Sequence, residues 1–120
     1  MNFSDSVRTC LAKATDFKGR ASRPEFWWFM LFCLLVSVML EFVNDWLSIA
    51  FFIAMILPSV SASTRRLHDI DLSGWWQLVV LVPVIGSIVM LVMLAREGTP
   101  GPNAHGAPPA DAAKATRGDA

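Results

Sequence analysis

The chain has 120 residues, of which 54% are hydrophobic and 17% are charged, with ten basic and ten acidic side chains. Soluble domains carry charge at about a quarter of their positions, so this composition excludes an ordinary soluble domain and predicts one small membrane domain. The two cysteines lie in segments of different character and do not indicate a disulfide framework or a zinc site. Phosphate-binding, nucleic-acid-binding and nucleophile motifs are absent, so we expect no cofactor, no metal, no nucleic-acid partner and no enzymatic activity.

The first 24 residues contain apolar side chains at helical spacing. These are Phe3, Val7, Cys10, Leu11, Ala14 and Phe17. The pattern predicts a short amphipathic helix, capped by Ser4 and ended by Gly19, in a cytoplasmic segment 1–24. Because its basic residues lie off the apolar stripe, this helix either lies among lipid headgroups or packs on the protein's own loops.

The first membrane span is predicted at about 26–43, within a membrane domain 25–95. The preceding run Ser22-Arg23-Pro24-Glu25 fits a capping box with proline in the first turn, which predicts that a helix begins there. Glu41 is the only charge in the span, and we expect it at the interface rather than as a buried proton site.

A second span is predicted at about 46–64, after a tight turn in which Asp45 caps the helix. Pro58 removes one helical hydrogen bond and predicts a kink. The hydroxyl side chains that follow it, such as Ser61 and Ser63, indicate a contact with another helix.

A third span is predicted at 75–95, because these 21 residues carry no charge. Pro83 and Gly86 leave open whether the span is continuous or breaks into two half-helices. The residues 96–120 are rich in Pro, Gly and Ala, and we expect a flexible, disordered tail.

The loop 65–74 between spans two and three carries the densest group of ionisable side chains. Asp69 is spaced to pair with either Arg65 or Arg66, and Ser73 can cap the third span. Arginines beside a helix start favour an anion site for a lipid phosphate, although the same arginines can instead anchor the topology by reaching to the headgroups. The predicted site comprises Arg65, Arg66, Asp69, Ser73, Arg20 and Arg23.

The neighbouring His68 and Asp71 extend this loop without defining a reactive centre. With Asp69 they match no established metal-ligand spacing, and an adjacent His-Asp pair is weak evidence for acid-base catalysis.

Basic residues near the span ends predict the orientation, with five before span one, none between spans one and two, two in the loop and one, Arg96, just after span three. The positive-inside rule then makes the N-terminus cytoplasmic and the tail external. Tryptophans at the predicted span ends agree with this orientation and are expected to anchor the protein at the two interfaces. They are Trp27, Trp28, Trp75 and Trp76 on one side and Trp46 on the other.

Three motifs, taken together, point to a family. They are Gly19-Arg20-Ala21-Ser22-Arg23-Pro24-Glu25-Phe26-Trp27, then Arg65-Arg66-Leu67-His68-Asp69 with Ser73-Gly74-Trp75-Trp76, then Gly98-Thr99-Pro100-Gly101-Pro102-Asn103 with Gly106. In this order they resemble the domain of unknown function 805 family of small bacterial inner-membrane proteins. The resemblance implies a multi-span plasma-membrane protein without an assigned activity. The chain departs from the family pattern at Asp71, where glycine is common, and at His105, where an aromatic is common.

The sequence therefore predicts an all-α membrane protein with three transmembrane helices, a short amphipathic N-terminal helix and a disordered tail. We expect a non-enzymatic component of the bacterial inner membrane whose basic cytoplasmic face binds anionic lipid headgroups, a membrane protein partner or a second copy. The alternative is a subunit of an oligomeric transporter or channel.

Overall fold

The protein is described over residues 2–109 by a computed structural model. Over that range the fold is all-helical, and its only β-type pairing is an isolated bridge between Asn103 and Gly106. In chain order the elements are α1 (Phe3–Ala12), α2 (Arg23–Glu41), α3 (Asp45–Asp69), a 3₁₀ helix (Gly74–Leu81) and α4 (Ile85–Ala95).

The helices α2 and α3 form an antiparallel pair of apolar helices. Their 19 and 25 residues correspond to about 28 Å and 37 Å, close to or above the roughly 30 Å of membrane hydrocarbon. The predicted capping box is confirmed, since the Ser22 side chain accepts a hydrogen bond from the Glu25 amide at 3.4 Å. Asn44 rather than Asp45 caps α3, because its side chain accepts from the Trp46 amide at 2.8 Å. Both helices have the length and composition of membrane spans.

The helix α3 continues past the predicted end of span two, so the loop starts at residue 70 rather than 65. Its last turn carries Arg65, Arg66 and Leu67, which are all fully buried against other elements, and this burial holds the turn in the helix. Pro58 lies inside α3 and is buried, as the sequence predicts for a helix contact. Ser61 Oγ donates to the Lys13 carbonyl at 3.1 Å, which places the end of α1 at that contact.

The third apolar stretch is broken, and the structure does not confirm a third span. We call residues 74–95 the hairpin segment, because the 3₁₀ helix ends at Leu81 and α4 begins only at Ile85. Val84, in the break, has φ +64°, and Pro83 has no amide hydrogen to continue a helix. With 11 residues, α4 is about 16 Å long and too short to cross the hydrocarbon.

Both ends of the hairpin segment lie at the same end of α3. Near its start, Gln77 Nε2 donates to Thr64 Oγ1 at 2.6 Å, and near its end the Leu94 carbonyl accepts from Arg66 Nε at 2.9 Å. The segment therefore leaves this end of the molecule, turns at Val84 and returns. We call this end of the molecule the Asp69 end. It comprises the last turn of α3, the starts of α2 and the 3₁₀ helix, and the end of α4.

The helix α1 packs on α2 and α3 at the Asp69 end. Asn2 rather than Ser4 caps it, and it ends at Ala12 rather than near Gly19. Ser6 and Cys10 form its buried face, and the Phe3 ring meets the Trp28 ring edge-on with centroids 5.9 Å apart. The sequence left open whether α1 lies among headgroups or packs on the protein, and in the structure it packs on the other helices rather than on loops.

The buried apolar core also lies at the Asp69 end, while long stretches of α2 and α3 expose their apolar side chains. Its buried members are Cys10, Phe26, Phe29, Ala62, Leu67, Met90, Met93 and Leu94. Exposed side chains such as Leu34, Met39 and Phe52 are expected on helices that face lipid.

The residues 97–106, which we call the C-terminal segment, pack against the Asp69 end. The Thr99 amide donates to the Asp69 carbonyl at 2.7 Å, and Asn103 Nδ2 donates to the His68 carbonyl at 2.9 Å. The expectation of a flexible tail is therefore not confirmed for this part, whose backbone makes hydrogen bonds to α3. The expectation for residues 110–120 lies outside the described residues.

Substitution of Gly86 tests the hairpin segment. A Cβ at Gly86 would collide with the carbonyl oxygen of Val79, so Gly86→Ala should destabilise the protein by about 1–3 kcal/mol through overpacking. Ser87→Ala, at the exposed neighbouring position, should be nearly neutral. Thermal unfolding in mild detergent provides the comparison, and equal stability of the two variants would show that the two halves do not pack as described.

Candidate functional site

The Asp69 carboxylate lies at the centre of a buried charge cluster. It is 3% exposed; Oδ1 accepts from Arg20 Nε at 2.9 Å and Oδ2 accepts from Arg66 Nη1 at 2.8 Å. Each oxygen thus receives a hydrogen bond from a different arginine, and such charge-assisted bonds are about twice as strong as bonds between neutral groups. The carboxylate joins the segment before α2 to the end of α3.

Arg20 connects this cluster to the C-terminal segment. Its Nη2 donates to the Thr99 carbonyl at 2.6 Å, and its Nη1 donates to the carbonyls of Gly101 at 2.7 Å and Gly106 at 3.3 Å. A guanidinium group has five donors in a fixed plane, so one side chain can hold several backbone oxygens in place. Arg20 therefore fixes the path of a segment that has no helix or strand of its own.

Arg66 connects the cluster to the end of α4. Its Nε donates to the Leu94 carbonyl at 2.9 Å, its Nη1 also reaches the Ala21 carbonyl at 3.3 Å, and its Nη2 donates to the Arg96 carbonyl. The last carbonyls of a helix have no partner within the helix, so an arginine in this position satisfies groups that would otherwise be unpaired. The end of α4 is thereby attached to α3.

Arg65 belongs to a second buried pair. The sequence allowed it to pair with Asp69, but its Nη1 donates to the Glu25 carboxylate instead, because Glu25 lies at the start of α2 facing α3. Within residues 2–109, Nε and Nη2 of Arg65 have no hydrogen-bond partner. The backbone reinforces the contact, since the Arg65 carbonyl accepts from the Ala21 amide at 2.9 Å.

Cys10 of α1 lies against this second pair. Burial raises the pKa of its thiol to about 11, and the Glu25 charge acts in the same direction, while the Arg65 guanidinium opposes both. The thiol is therefore protonated and unreactive at neutral pH, since the thiolate is the nucleophilic form. Its Sγ lies 3.7 Å from the Glu25 carbonyl oxygen, so Cys10 contributes a packing contact and a weak hydrogen bond.

The structure brings together only part of the anion site predicted from the sequence. Arg20, Arg66 and Asp69 meet, but their charged groups are buried and bound to protein atoms. Ser73 is exposed and caps the 3₁₀ helix by accepting from the Trp75 amide at 3.3 Å. Arg23, at the start of α2, is exposed. Among the arginines of the predicted site, only Arg23 is therefore accessible at the protein surface.

His68 makes structural contacts rather than a dyad with Asp69. Its ring stacks on that of His105 with centroids 3.9 Å apart, and its Nδ1 donates to the Gly19 carbonyl at 3.0 Å. A carbonyl can only accept, so the proton of this neutral ring lies on Nδ1. Across the described residues, no group of three His, Cys, Asp or Glu side chains is arranged to hold a metal ion.

Both departures from the family pattern have a structural explanation. Asp71 has φ +62°, a conformation that glycine adopts without strain and that Asp tolerates better than most residues. Its side chain also accepts from the Ala104 amide at 3.2 Å. The His105 ring occupies the stacking position on His68 that another aromatic ring can fill.

The sequence did not predict the roles of Glu25 and of the C-terminal segment. Glu25 was assigned only to the capping box, and the carbonyls of Thr99, Gly101 and Gly106 were placed in a disordered tail. The sequence signal that could have indicated this packing is the glycine that opens the motif Gly98-Thr99-Pro100-Gly101. A Cβ at Gly98 would collide with the Asp69 carboxylate. Glycine is thus needed there for close approach of the backbone to a charged group.

The tryptophans lie at two levels along the helices. Trp27, Trp28, Trp75 and Trp76 are at the Asp69 end, in the first turns of α2 and of the 3₁₀ helix, and Trp46 is in the first turn of α3 at the opposite end. All except Trp27 are exposed. Trp27 is half-buried and its Nε1 donates to the Leu94 carbonyl at 3.3 Å, so it also joins α2 to α4.

Two apolar helices of membrane length, with a buried charge cluster at one end, define a small integral membrane protein. The family of proteins of unknown function DUF805 matches residues 14–107, and the chain belongs to this family. It is 39% identical to the inner membrane protein YhaI of Escherichia coli K12 over 106 residues, covering 82% of this chain and 90% of the relative. It is 36% identical to the inner membrane protein YhaH of the same strain over 110 residues, covering 82% and 91%. No solved structure matches the chain.

Removal of the Asp69 charge tests the cluster. Asp69→Asn leaves two buried guanidinium groups without a countercharge and should destabilise the protein by about 3–5 kcal/mol. Asp71→Asn is a matched control, because Asp71 is exposed and asparagine tolerates its positive φ. Thermal unfolding in detergent gives the stability, and trypsin cleavage after Arg96 reports release of the C-terminal segment. If both variants behave like the wild type, the cluster does not hold the segment.

Proposed function

We propose that the protein is a non-enzymatic component of the bacterial inner membrane that presents a preassembled basic face to the cytoplasm, where it binds anionic lipid or a partner protein. The observation that carries this proposal is the distribution of exposed charge. The exposed basic residues of the described chain are Arg8, Lys13, Lys18, Arg23 and Arg96, all at the Asp69 end, where they outnumber the exposed acidic residues Asp5, Asp16, Asp71 and Glu97 by five to four. The opposite end carries the exposed acidic side chains Glu41 and Asp45, and none of the residues 42–44 that separate them is basic.

The absence of a His68–Asp69 hydrogen bond supports the non-enzymatic part of the proposal. Both Asp69 oxygens accept from arginines, and His68 Nδ1 is engaged by the Gly19 carbonyl. A general base must reach its substrate and be oriented by a partner group. The Asp69 carboxylate is buried and both its oxygens are occupied, and the His68 ring is held by the Gly19 carbonyl and stacks on His105 rather than pairing with Asp69.

The membrane placement that fits this face has two crossings, α2 and α3, and a hairpin segment that enters and returns from the cytoplasmic side. The sequence predicted three crossings, which would move Arg96 and the C-terminal segment to the outer side. The contacts of Arg20 and Arg66 with that segment favour one common side. With two crossings, every Lys and Arg of the described chain lies on the cytoplasmic side, as the positive-inside rule requires.

Cysteine accessibility tests this placement. In a Cys10→Ser, Cys33→Ser background, Val43→Cys should react with a membrane-impermeant maleimide added to spheroplasts, since residue 43 is exposed at the outer end. Ala107→Cys is exposed on the other side and should react only after permeabilisation. Reaction of Ala107→Cys from outside in intact spheroplasts would contradict the placement and restore the three-span topology.

Affinity purification from native membranes tests the binding function. The wild type should co-purify an anionic lipid or a stoichiometric protein partner. A variant with Arg8→Gln, Lys13→Gln and Lys18→Gln should lose most of it, because exposed charges provide the attraction. A Glu41→Gln variant, altered at the opposite end, is the control and should retain binding. Recovery of neither lipid nor protein with the wild type would contradict the proposal.

A subunit of an oligomeric transporter or channel is the second candidate, and the broken hairpin segment favours it. Non-helical backbone at membrane depth is tolerated where protein or a water-filled cavity covers it. Val82 and Val84 are at least half exposed in the single chain. Under this alternative the purified protein should be an oligomer in mild detergent and should release ions from loaded vesicles. A monomer that leaves vesicles sealed would exclude it.

A further inference from the structure

A groove of about 350 Å³ lies between α2, the hairpin segment and the last turns of α3, just below the Asp69 end. Its walls are mainly apolar, with Trp27 and Met30 from α2, Val80 from the 3₁₀ helix, and Met90 and Leu91 from α4. This volume is within the range of ligand-binding pockets. The groove is separate from the charge cluster, whose groups point away from it to protein acceptors.

Two polar side chains in the groove have unused hydrogen-bonding capacity. Ser63 Oγ makes no hydrogen bond to any described residue. Gln77 Nε2 donates to Thr64 Oγ1 and to the Gly74 carbonyl, at 2.6 Å and 3.2 Å, but its Oε1 accepts none within residues 2–109. An unpaired polar group facing hydrocarbon is costly, so a ligand with its own polar atoms at this depth would be favoured over a plain alkyl chain.

Two free arginines lie at the mouth of the groove. Arg23 is four residues before Trp27 and seven before Met30, so it continues the stripe of α2 that lines the groove. Arg96 directly follows α4, whose last turns line the opposite wall. Both side chains are exposed, and neither makes a hydrogen bond or an ion pair with a described residue. They differ in this respect from Arg20 and Arg66, whose donors are already bound.

The lining and the mouth of the groove favour a lipid as its occupant. At its upper end Trp27 Nε1 donates to the Leu94 carbonyl at 3.3 Å, so this side chain bridges α2 and α4 there. The mainly apolar lining suits a hydrocarbon chain, and the exposed Arg23 and Arg96 at the mouth suit an anionic headgroup.

We propose that this groove binds one acyl chain of an anionic phospholipid, with its phosphate held by Arg23 and Arg96 and its ester region beside Ser63 and Gln77. The proposal rests on the membrane placement proposed above, in which the Asp69 end is at the cytoplasmic headgroup level. It assigns lipid recognition to two exposed arginines outside the Arg65-Arg66 motif. It also explains why polar side chains line a groove at hydrocarbon depth.

The test uses the full chain, purified in mild detergent with phosphatidylglycerol or phosphatidylcholine and examined by native mass spectrometry. The wild type should retain one phosphatidylglycerol in preference to phosphatidylcholine. The double variant Arg23→Gln, Arg96→Gln should lower phosphatidylglycerol retention by at least about tenfold, because each arginine at a headgroup contributes attraction. The control, Glu41→Gln with Asp45→Asn, neutralises two exposed charges at the opposite end of the molecule and should retain the lipid.

A second pair of variants tests the groove itself. Met30→Trp fills the groove and should reduce retention of both lipids. If this variant unfolds at a lower temperature than the wild type, Leu91→Trp on the opposite wall replaces it in the test. Equal phosphatidylglycerol retention by the wild type and the double arginine variant would falsify the site. Equal loss in the control pair, or full retention in both groove-filled variants, would also overturn it. The wild type could also retain phosphatidylglycerol and phosphatidylcholine equally, while partner recovery and cysteine labelling agree with the predictions above. That result would exclude the groove site alone and leave the proposed function standing.

Discussion

The contact of the Asp69 carboxylate with two arginines is the constraint on which the polar end of the molecule depends. A buried ion pair contributes little net stability, because desolvation of both charges offsets their attraction, but loss of one partner is costly. Arg20 and Arg66 extend the pair to backbone carbonyls of Thr99 and Leu94, so the charges are fully hydrogen-bonded. We infer that the cluster specifies one arrangement of three chain segments more than it adds stability.

The arginines of this protein fall into two groups with different acceptors. Among residues 2–109, Arg20, Arg65 and Arg66 are buried and bind protein atoms, while Arg8, Arg23 and Arg96 are exposed and their side chains have no acceptor within that range. An arginine-rich motif in a membrane protein is therefore not by itself evidence of an anion site. The buried arginines of the motif hold protein segments together, whereas the exposed arginines outside the motif keep free hydrogen-bond donors.

Local signals in the sequence predicted local structure well. The capping box at Ser22 placed the start of α2, and the lack of charge marked α2 and α3 as apolar helices. The third span is not confirmed, because uncharged length cannot distinguish a crossing from a hairpin, and Pro83 had indicated a possible break. The contacts of the C-terminal segment were not predicted, because composition describes the conformational freedom of a backbone and not its contacts. The partners of Arg20 in the C-terminal segment are 79 to 86 residues away, beyond any local pattern.

The length of those separations has a consequence for biogenesis. Chains are synthesised from the N-terminus, so Arg20 is made 79 residues before the Thr99 carbonyl that it binds. During that interval α2 and α3 can enter the membrane, but Arg20 lacks most of its acceptors and must remain hydrated at the interface. The C-terminal segment thus closes the structure around charges that earlier residues supplied. Assembly of the Asp69 end is therefore a late step. A nascent chain that stops before the C-terminal segment leaves the charge cluster exposed.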